Sequence, residues 1–172
     1  MTTPTATQQR FFENYPMAIP SAGVLFFDGP SYERLLVVKP RGRQWWEIPG
    51  GVNEARRGES PRGTARREIA EELGLDVVIG RLLGTDSVPE GDDHAPMLAF
   101  VYEGGILTPE QNAAIRYVDH EIGERRYVAP DLDQLAEMMV PRLARRVVAC
   151  ALHARTGNPE PLCLEHGYVP AA

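Results

Sequence analysis

Uninterrupted apolar runs alternate with polar, glycine- and proline-rich breaks along this chain, and their lengths predict its elements. Ala18 to Phe27 (AIPSAGVLFF) reads as a buried strand, ended by Gly29-Pro30-Ser31. Arg34 to Val38 (RLLVV) reads as the next strand and pairs with the first as a hairpin. Trp45 to Ile48 is short and extended and enters a turn at Pro49-Gly50-Gly51. The clearest helix runs from Pro61 to Leu73. Ser60 suits its N-cap, Pro61 its first position and Gly74 the position past its end, and Ala65, Ile69 and Leu73 form one apolar stripe. Strands are expected at Val77 to Leu83, at Met97 to Tyr102 (broken by Gly104-Gly105) and at Arg125 to Val128. A short helix is expected at Pro109 to Ala114, and two more at Asp131 to Met139 and Pro141 to about Arg155.

Strands, one helix, more strands and then helices predict an α/β fold, a mixed sheet covered by helices on both faces. The expected organisation is an N-terminal arm over 1–17, one domain over 18–156 and an irregular tail over 157–172, rich in glycine and proline. At 172 residues, such a domain buries a sizeable core without metal or disulfide staples. Cys150 falls in an apolar helical stretch and reads as core. Cys163, in the tail, reads as exposed, and two cysteines make neither a disulfide framework nor a zinc site.

Composition narrows the function classes. No apolar run approaches the roughly 20 residues of a membrane span, and residues 1–10 lack a secretory apolar core, so a cytoplasmic protein is expected. The net charge of −6 argues against binding duplex nucleic acid. It leaves room for a small phosphorylated ligand, because a bound cation reverses the local sign of an acidic site. The amphipathic helix at 141–155 packs either on its own sheet or on a second copy, the latter giving a homodimer.

The chemistry points to the helix after Ser60. Glu68, Glu71 and Glu72 stand at i, i+3 and i+4, an arc of about 100° bordering the apolar stripe. Like charges so placed destabilise an isolated helix. Arg66 and Arg67 offset part of that, and a hard divalent cation such as magnesium or manganese does so better, through the carboxylate oxygens it prefers. Alone, such a turn more often marks a solvated acidic face. The surrounding sequence from Gly50, GGVNEARRGESPRGTARREIAEELGL, resembles the Nudix box: Glu59, seven residues, then Arg67-Glu68-Ile69-x-Glu71-Glu72-x-Gly74-Leu75, preceded by WEIPGG. One departure is that seven residues rather than five separate Gly51 from Glu59. The two extra lie within Ala55-Arg56-Arg57, lengthening the loop before the helix and leaving the helix spacing intact.

The resemblance implies the Nudix α/β/α sandwich over about Ile19 to Arg155. It also implies metal-dependent hydrolysis of a phosphoanhydride (pyrophosphate) bond in a nucleoside-diphosphate-like substrate, with Mg2+ or Mn2+ as cofactor. By that resemblance Glu68, Glu71 and Glu72 are metal ligands, and the three are also the candidates for the base. Arg67 and Glu59 brace the helix, the Gly51 carbonyl helps hold metal, and Gly58 and Gly74 shape the backbone. A further acid from a later loop, as ligand or base, is assigned to Glu121, with Asp119, His120 and Glu124 as competitors. Lys39, Arg41, Arg43, Arg56 and Arg57 are candidate phosphate grips. Trp45 or Trp46 is a candidate for stacking on a base, although neighbouring strand residues face opposite ways and one of the two should be core. The polar loop holding Glu90, Asp92, Asp93 and His94 borders the substrate or simply makes a turn. The alternative is a noncatalytic Nudix-fold sensor of a nucleotide metabolite.

Overall fold

The structure is a computed structural model that describes residues 17–92 and 94–171. The arm expected over 1–17 lies outside it apart from Met17, as does Asp93. Seven strands form one mixed sheet: β1 (Ile19–Phe27), β2 (Leu35–Pro40), β3 (Gly50–Val52), β4 (Leu82–Val88), β5 (Met97–Ile106), β6 (Ile122–Val128) and β7 (Leu162–Glu165). The order is β6-β2-β1-β5-β4-β7, with β3 pairing the N-terminal end of β1. The β1–β5 and β4–β7 pairs are parallel and the others antiparallel. Among the described residues four α-helices complete the fold: α1 (Pro61–Leu73), α2 (Pro109–Ala114), α3 (Leu132–Met138) and α4 (Pro141–Thr156).

The continuous apolar run of β1 follows from burial on both faces. Val24 and Phe26 pack with Ala65, Ile69 and Leu73 of α1. Leu25 and Phe27 pack on the opposite side with Leu135, Ala144, Val147 and Cys150 of α3 and α4. The helix expected at 141–155 therefore covers its own sheet. Cys150 is buried and Cys163 exposed, as expected. Among the described residues, no helix is long and apolar enough to cross a membrane.

Tertiary context moved several boundaries. The strand expected at Val77 to Leu83 is instead β4, starting at Leu82 and running through the polar residues to Val88. The β-branched residues 77–79 precede it as a connection. Val78 is almost fully exposed, and the carbonyls of Ile79 and Gly80 are taken by the Arg62 side chain rather than by a neighbouring strand. Gly104-Gly105 does not end β5, because a register shift opposite Leu25 and Phe26 absorbs the extra residue and pairing continues to Ile106. Pairing with β2 draws Ile122, Gly123 and Glu124 into β6. The segment expected as a turn at Gly50-Gly51 is itself β3, and Trp45 to Ile48 contributes only a bridge between Glu47 and Val38. The tail is not wholly irregular either. Its four-residue strand β7 adds to the edge of β4, which offered unpaired backbone groups there.

Candidate active site

Helix α1 begins and ends as its sequence requires. The Ser60 hydroxyl accepts from Gly63 N, and Gly74 closes the helix in the left-handed region. With Ala65, Ile69 and Leu73 fully buried, the three glutamates follow a gradient of exposure set by their angle from that stripe. The Glu72 residue is 7 % exposed, and the side chains of Glu68 and Glu71 are 15 % and 48 % exposed.

Two contacts join the helix to β3. Glu72 Oε2 accepts from Gly50 N at 2.9 Å. Gly51 lies so close to Glu68 that an added Cβ would stand 2.3 Å from Glu68 Oε1, a space that only glycine leaves open. The loop after α2 docks on the other end of the helix: Arg116 N donates to Leu73 O and Asp119 N to Glu71 O. Asp119 Oδ1 then accepts from Glu121 N, which holds that turn beside the glutamates.

Crowding of acids is the dominant electrostatic feature. Burial raises the Glu72 carboxyl to about 8, and the charges of Glu68, Asp119 and Glu47 push it the same way against the opposing Gly50 N–H. Burial also raises Glu68, with Arg67 opposing and Glu71 and Glu121 adding to the rise. Glu47 is raised by burial and lowered by Arg43. Arg67 Nη1 bridges Glu68 Oε1 at 2.9 Å and Glu71 Oε2 at 2.7 Å. Among the described residues, no three acidic, imidazole or thiol side chains already form a closed cation cage. The donor set nonetheless fits a hard cation: oxygen donors on one helical arc, a glycine-cleared space beside Glu68, and carboxyls raised above their ordinary range by burial and then by neighbouring acids.

Glu59 and Arg67 form the brace below the arc. Glu59 accepts from Arg67 Nε at 2.9 Å, from Glu54 N and from the Thr64 hydroxyl. Buried Asn53 donates to Thr64 Oγ1 and to Glu59 O, so both ends of the loop are tied to α1. Between them Ala55–Arg57 makes one exposed 3-10 turn. The Arg67 hydrogen bond, chief among these contacts, holds Glu59 down at about 2. Stabilisation from this carboxylate is therefore complete above the ordinary carboxylate value and is lost as pH falls toward 2. Glu59→Gln is expected to cost about 1–3 kcal/mol of stability at pH 7, as for a hydrogen bond to a charged group. It should also flatten the acid limb of the Tm–pH curve between about pH 4.5 and 2. An unchanged Tm–pH curve in thermal melts would remove Glu59 from the brace.

The other candidates separate. Glu121 and Asp119 each act on a glutamate of the arc, whereas Glu124 pairs with Arg126 at 2.6 Å on β6. His120 takes a left-handed backbone conformation between them. Trp46, a stacking candidate, is 7 % exposed and belongs to the core beneath α3 and α4, with Arg126 over its ring at 4.1 Å. It is the buried member of the pair, and Trp45 is half-buried. Lys39 donates to Gln44 O, Arg41 Nε to Ile122 O, and exposed Arg57 to Glu54, so all three are engaged locally. Gly91 and His94 pair through their backbones.

Beyond β3, Gly50 and Gly51 form one wall of a cleft of about 290 Å³ that also includes Arg43, Glu47, Arg142 and Arg146. Sequence reasoning missed Glu47, Arg142 and Arg146. Glu47 had a signal, an acid three residues before the glycine pair. The two arginines had none, since on an amphipathic helix they read as solvated surface.

The chain was compared with known proteins. A family model described as the NUDIX domain matches residues 17–150. No curated protein matches. Among solved structures, a MutT protein from Methanosarcina mazei Go1 is 20% identical with a TM-score of 0.60, covering 84% of this chain and 98% of that one. A UDP-X diphosphatase is 19% identical at a TM-score of 0.66, covering 95% and 76%. The NUDIX domain of Shewanella oneidensis NrtR, complexed with ADP ribose, is 16% identical at 0.61, covering 87% and 97%. The mixed sheet between helical layers is the Nudix sandwich, and by the match across most of its length this chain belongs to the Nudix family.

Proposed function

We propose that this protein hydrolyses the phosphoanhydride bond of a nucleoside-diphosphate-linked small molecule with the help of Mg2+ or Mn2+. The observation that carries the reading is the arc of Glu68, Glu71 and Glu72 held against β3, with the cleft opening on the other side of Gly51. Glu68, Glu71, Glu72 and the Gly51 carbonyl would hold the cation, with Glu121 adding an oxygen from its loop. When bound, the cation neutralises phosphate oxygens and lowers the pKa of a water. The protein's own contribution is positional. Glu59 and Arg67 would aim the glutamates, and we assign the two-residue lengthening of the box to the exposed turn at Ala55–Arg57. One carboxylate of the cluster would accept the proton of the attacking water.

The solved relatives support the substrate class in general terms: one is named a UDP-X diphosphatase and another was seen with ADP ribose. A screen of nucleoside diphosphate sugars, ADP-ribose and dinucleoside polyphosphates with Mg2+ or Mn2+, scored by nucleotide products, tests the proposal. Cation-dependent release of a nucleoside monophosphate is the expected result. Tight ligand binding with no hydrolysis of any member would favour the noncatalytic sensor instead.

A further inference from the structure

Arg146 on α4 is 8 % exposed, and its partner Asp86 on β4 is fully buried. Arg146 Nε donates to Asp86 Oδ2 at 2.7 Å, while Asp86 Oδ1 accepts from Gly167 N at 3.0 Å in the turn after β7. The tail also fastens the preceding arginine, since the Arg145 guanidinium donates to His166 O and lies over the Tyr168 ring. Arg146 is thus held through its Nε. Its two terminal nitrogens carry no hydrogen bond among the described residues, and the side chain borders the cleft beside Gly51.

One helical turn earlier, Arg142 borders the same cleft, and no ion pair or hydrogen bond to its side chain is present among the described residues. Two guanidiniums at i and i+4 repel each other, and Asp86 answers only one. Arg43 borders the same cleft and makes a long ion pair with Glu47 at 3.9 Å. Three arginines therefore face one small space in a chain whose net charge is −6. The rest of the wall includes apolar Phe100 and Leu143, which shed water and strengthen charge interactions there. A solvated surface needs neither the buried carboxylate that anchors Arg146 nor the tail that caps it.

From this geometry we infer that the cleft selects substrates carrying a second anionic group, a phosphate monoester or a carboxylate, on the part of the molecule remote from the scissile phosphoanhydride, with Arg142 and Arg146 as its specificity-determining residues. The inference rests on the hydrolase reading for the position of the scissile bond. The free forks of Arg142 and Arg146 suit either oxyanion.

Matched pairs test it: UDP-glucose against UDP-glucuronate for a carboxylate, and ADP-ribose against its 2′-phosphate for a phosphate. Calorimetric binding and steady-state kinetics are measured for both pairs on the full chain with Mg2+. At least one charged member is expected to bind about tenfold more tightly than its neutral twin, with the difference in KM rather than kcat. Arg142→Gln should abolish that preference, bringing the charged member down to the affinity of its neutral twin. The double variant Asp86→Asn, Arg146→Gln, which keeps a neutral pair in the core, should do the same. If it fails to fold, Arg142→Gln decides. Equal affinity within both pairs, no binding of either charged member, or a preference surviving Arg142→Gln overturns the inference. Hydrolysis of both members without discrimination leaves the hydrolase reading standing. Preferential binding of a charged member without hydrolysis supports the anionic subsite and overturns the hydrolase reading.

Discussion

Glutamine in place of Glu72 is expected to leave the fold intact and to lower cation-dependent turnover by at least about a hundredfold, beyond the usual cost of losing a supporting partner of a metal ligand. The fold should survive because glutamine can keep accepting from Gly50 N at 2.9 Å, and because a carboxyl raised to about 8 is already largely protonated at neutral pH without a cation. The loss of turnover follows from removing a negative oxygen donor that a neutral amide replaces poorly for a hard cation. Glu71→Gln should act in the same direction. Its half-exposed side chain carries little packing, so its effect isolates the charge that now pairs with Arg67. Circular dichroism and Tm report the fold, and product release with Mg2+ reports turnover. Wild-type turnover in both variants would refute the glutamate-arc mechanism.

The second large effect is a reversal of pH dependence by metal. The Glu72 carboxyl has an ordinary value of 4.5 and is raised to about 8 in the folded chain, first by burial and then by the charges of Glu68, Asp119 and Glu47. The folded state binds the proton more tightly than the unfolded one. The stability this group contributes is therefore fully present below about pH 4.5 and is lost as pH rises through about 8. In a chelator, Tm should fall across that window, by no more than about 1.4 kcal/mol of stability per pH unit from this group. A divalent cation must displace the same proton, so Mg2+ affinity should rise with pH up to about 8, with proton release visible in calorimetry as a dependence on buffer. With saturating Mg2+ the decline of Tm should shrink, and in Glu72→Gln it should be shallower in chelator, with Glu68 and Glu47 supplying the remainder. A wild-type Tm that is flat in chelator between pH 5 and 8 would show that the carboxyl is not held in its neutral form.

Much of the site was legible along the chain because its parts lie within one helix and the loop before it. The spacing of Glu68, Glu71 and Glu72, the cap at Ser60 and the stop at Gly74 are local properties, and a helical repeat converts them into an arc. The brace of Glu59 with Arg67 was reachable from the box resemblance. That Trp46 rather than Trp45 is the buried member of the pair was not legible, because an aromatic pair on an extended segment does not reveal which member faces the core. Glu121 and Asp119 come beside the arc only because their loop docks on the C-terminal end of α1, a contact between residues some fifty positions apart in sequence. The strand at 82–88 was misplaced for a related reason. Its polar centre pairs with β5 and β7, and its Asp86 is stabilised by Arg146 from a helix 60 residues later.

Short-range pattern by itself determined the helix with its glutamates, most of the strands and the layered α/β class, because capping, periodicity and turn chemistry act over a few residues. Tertiary structure alone decided which acids join the arc, that the tail supplies a seventh strand, and that Arg142 and Arg146 face a cleft rather than water. Those outcomes depend on burial and on charges brought together from distant segments, and both arise only when the sheet closes between its helices.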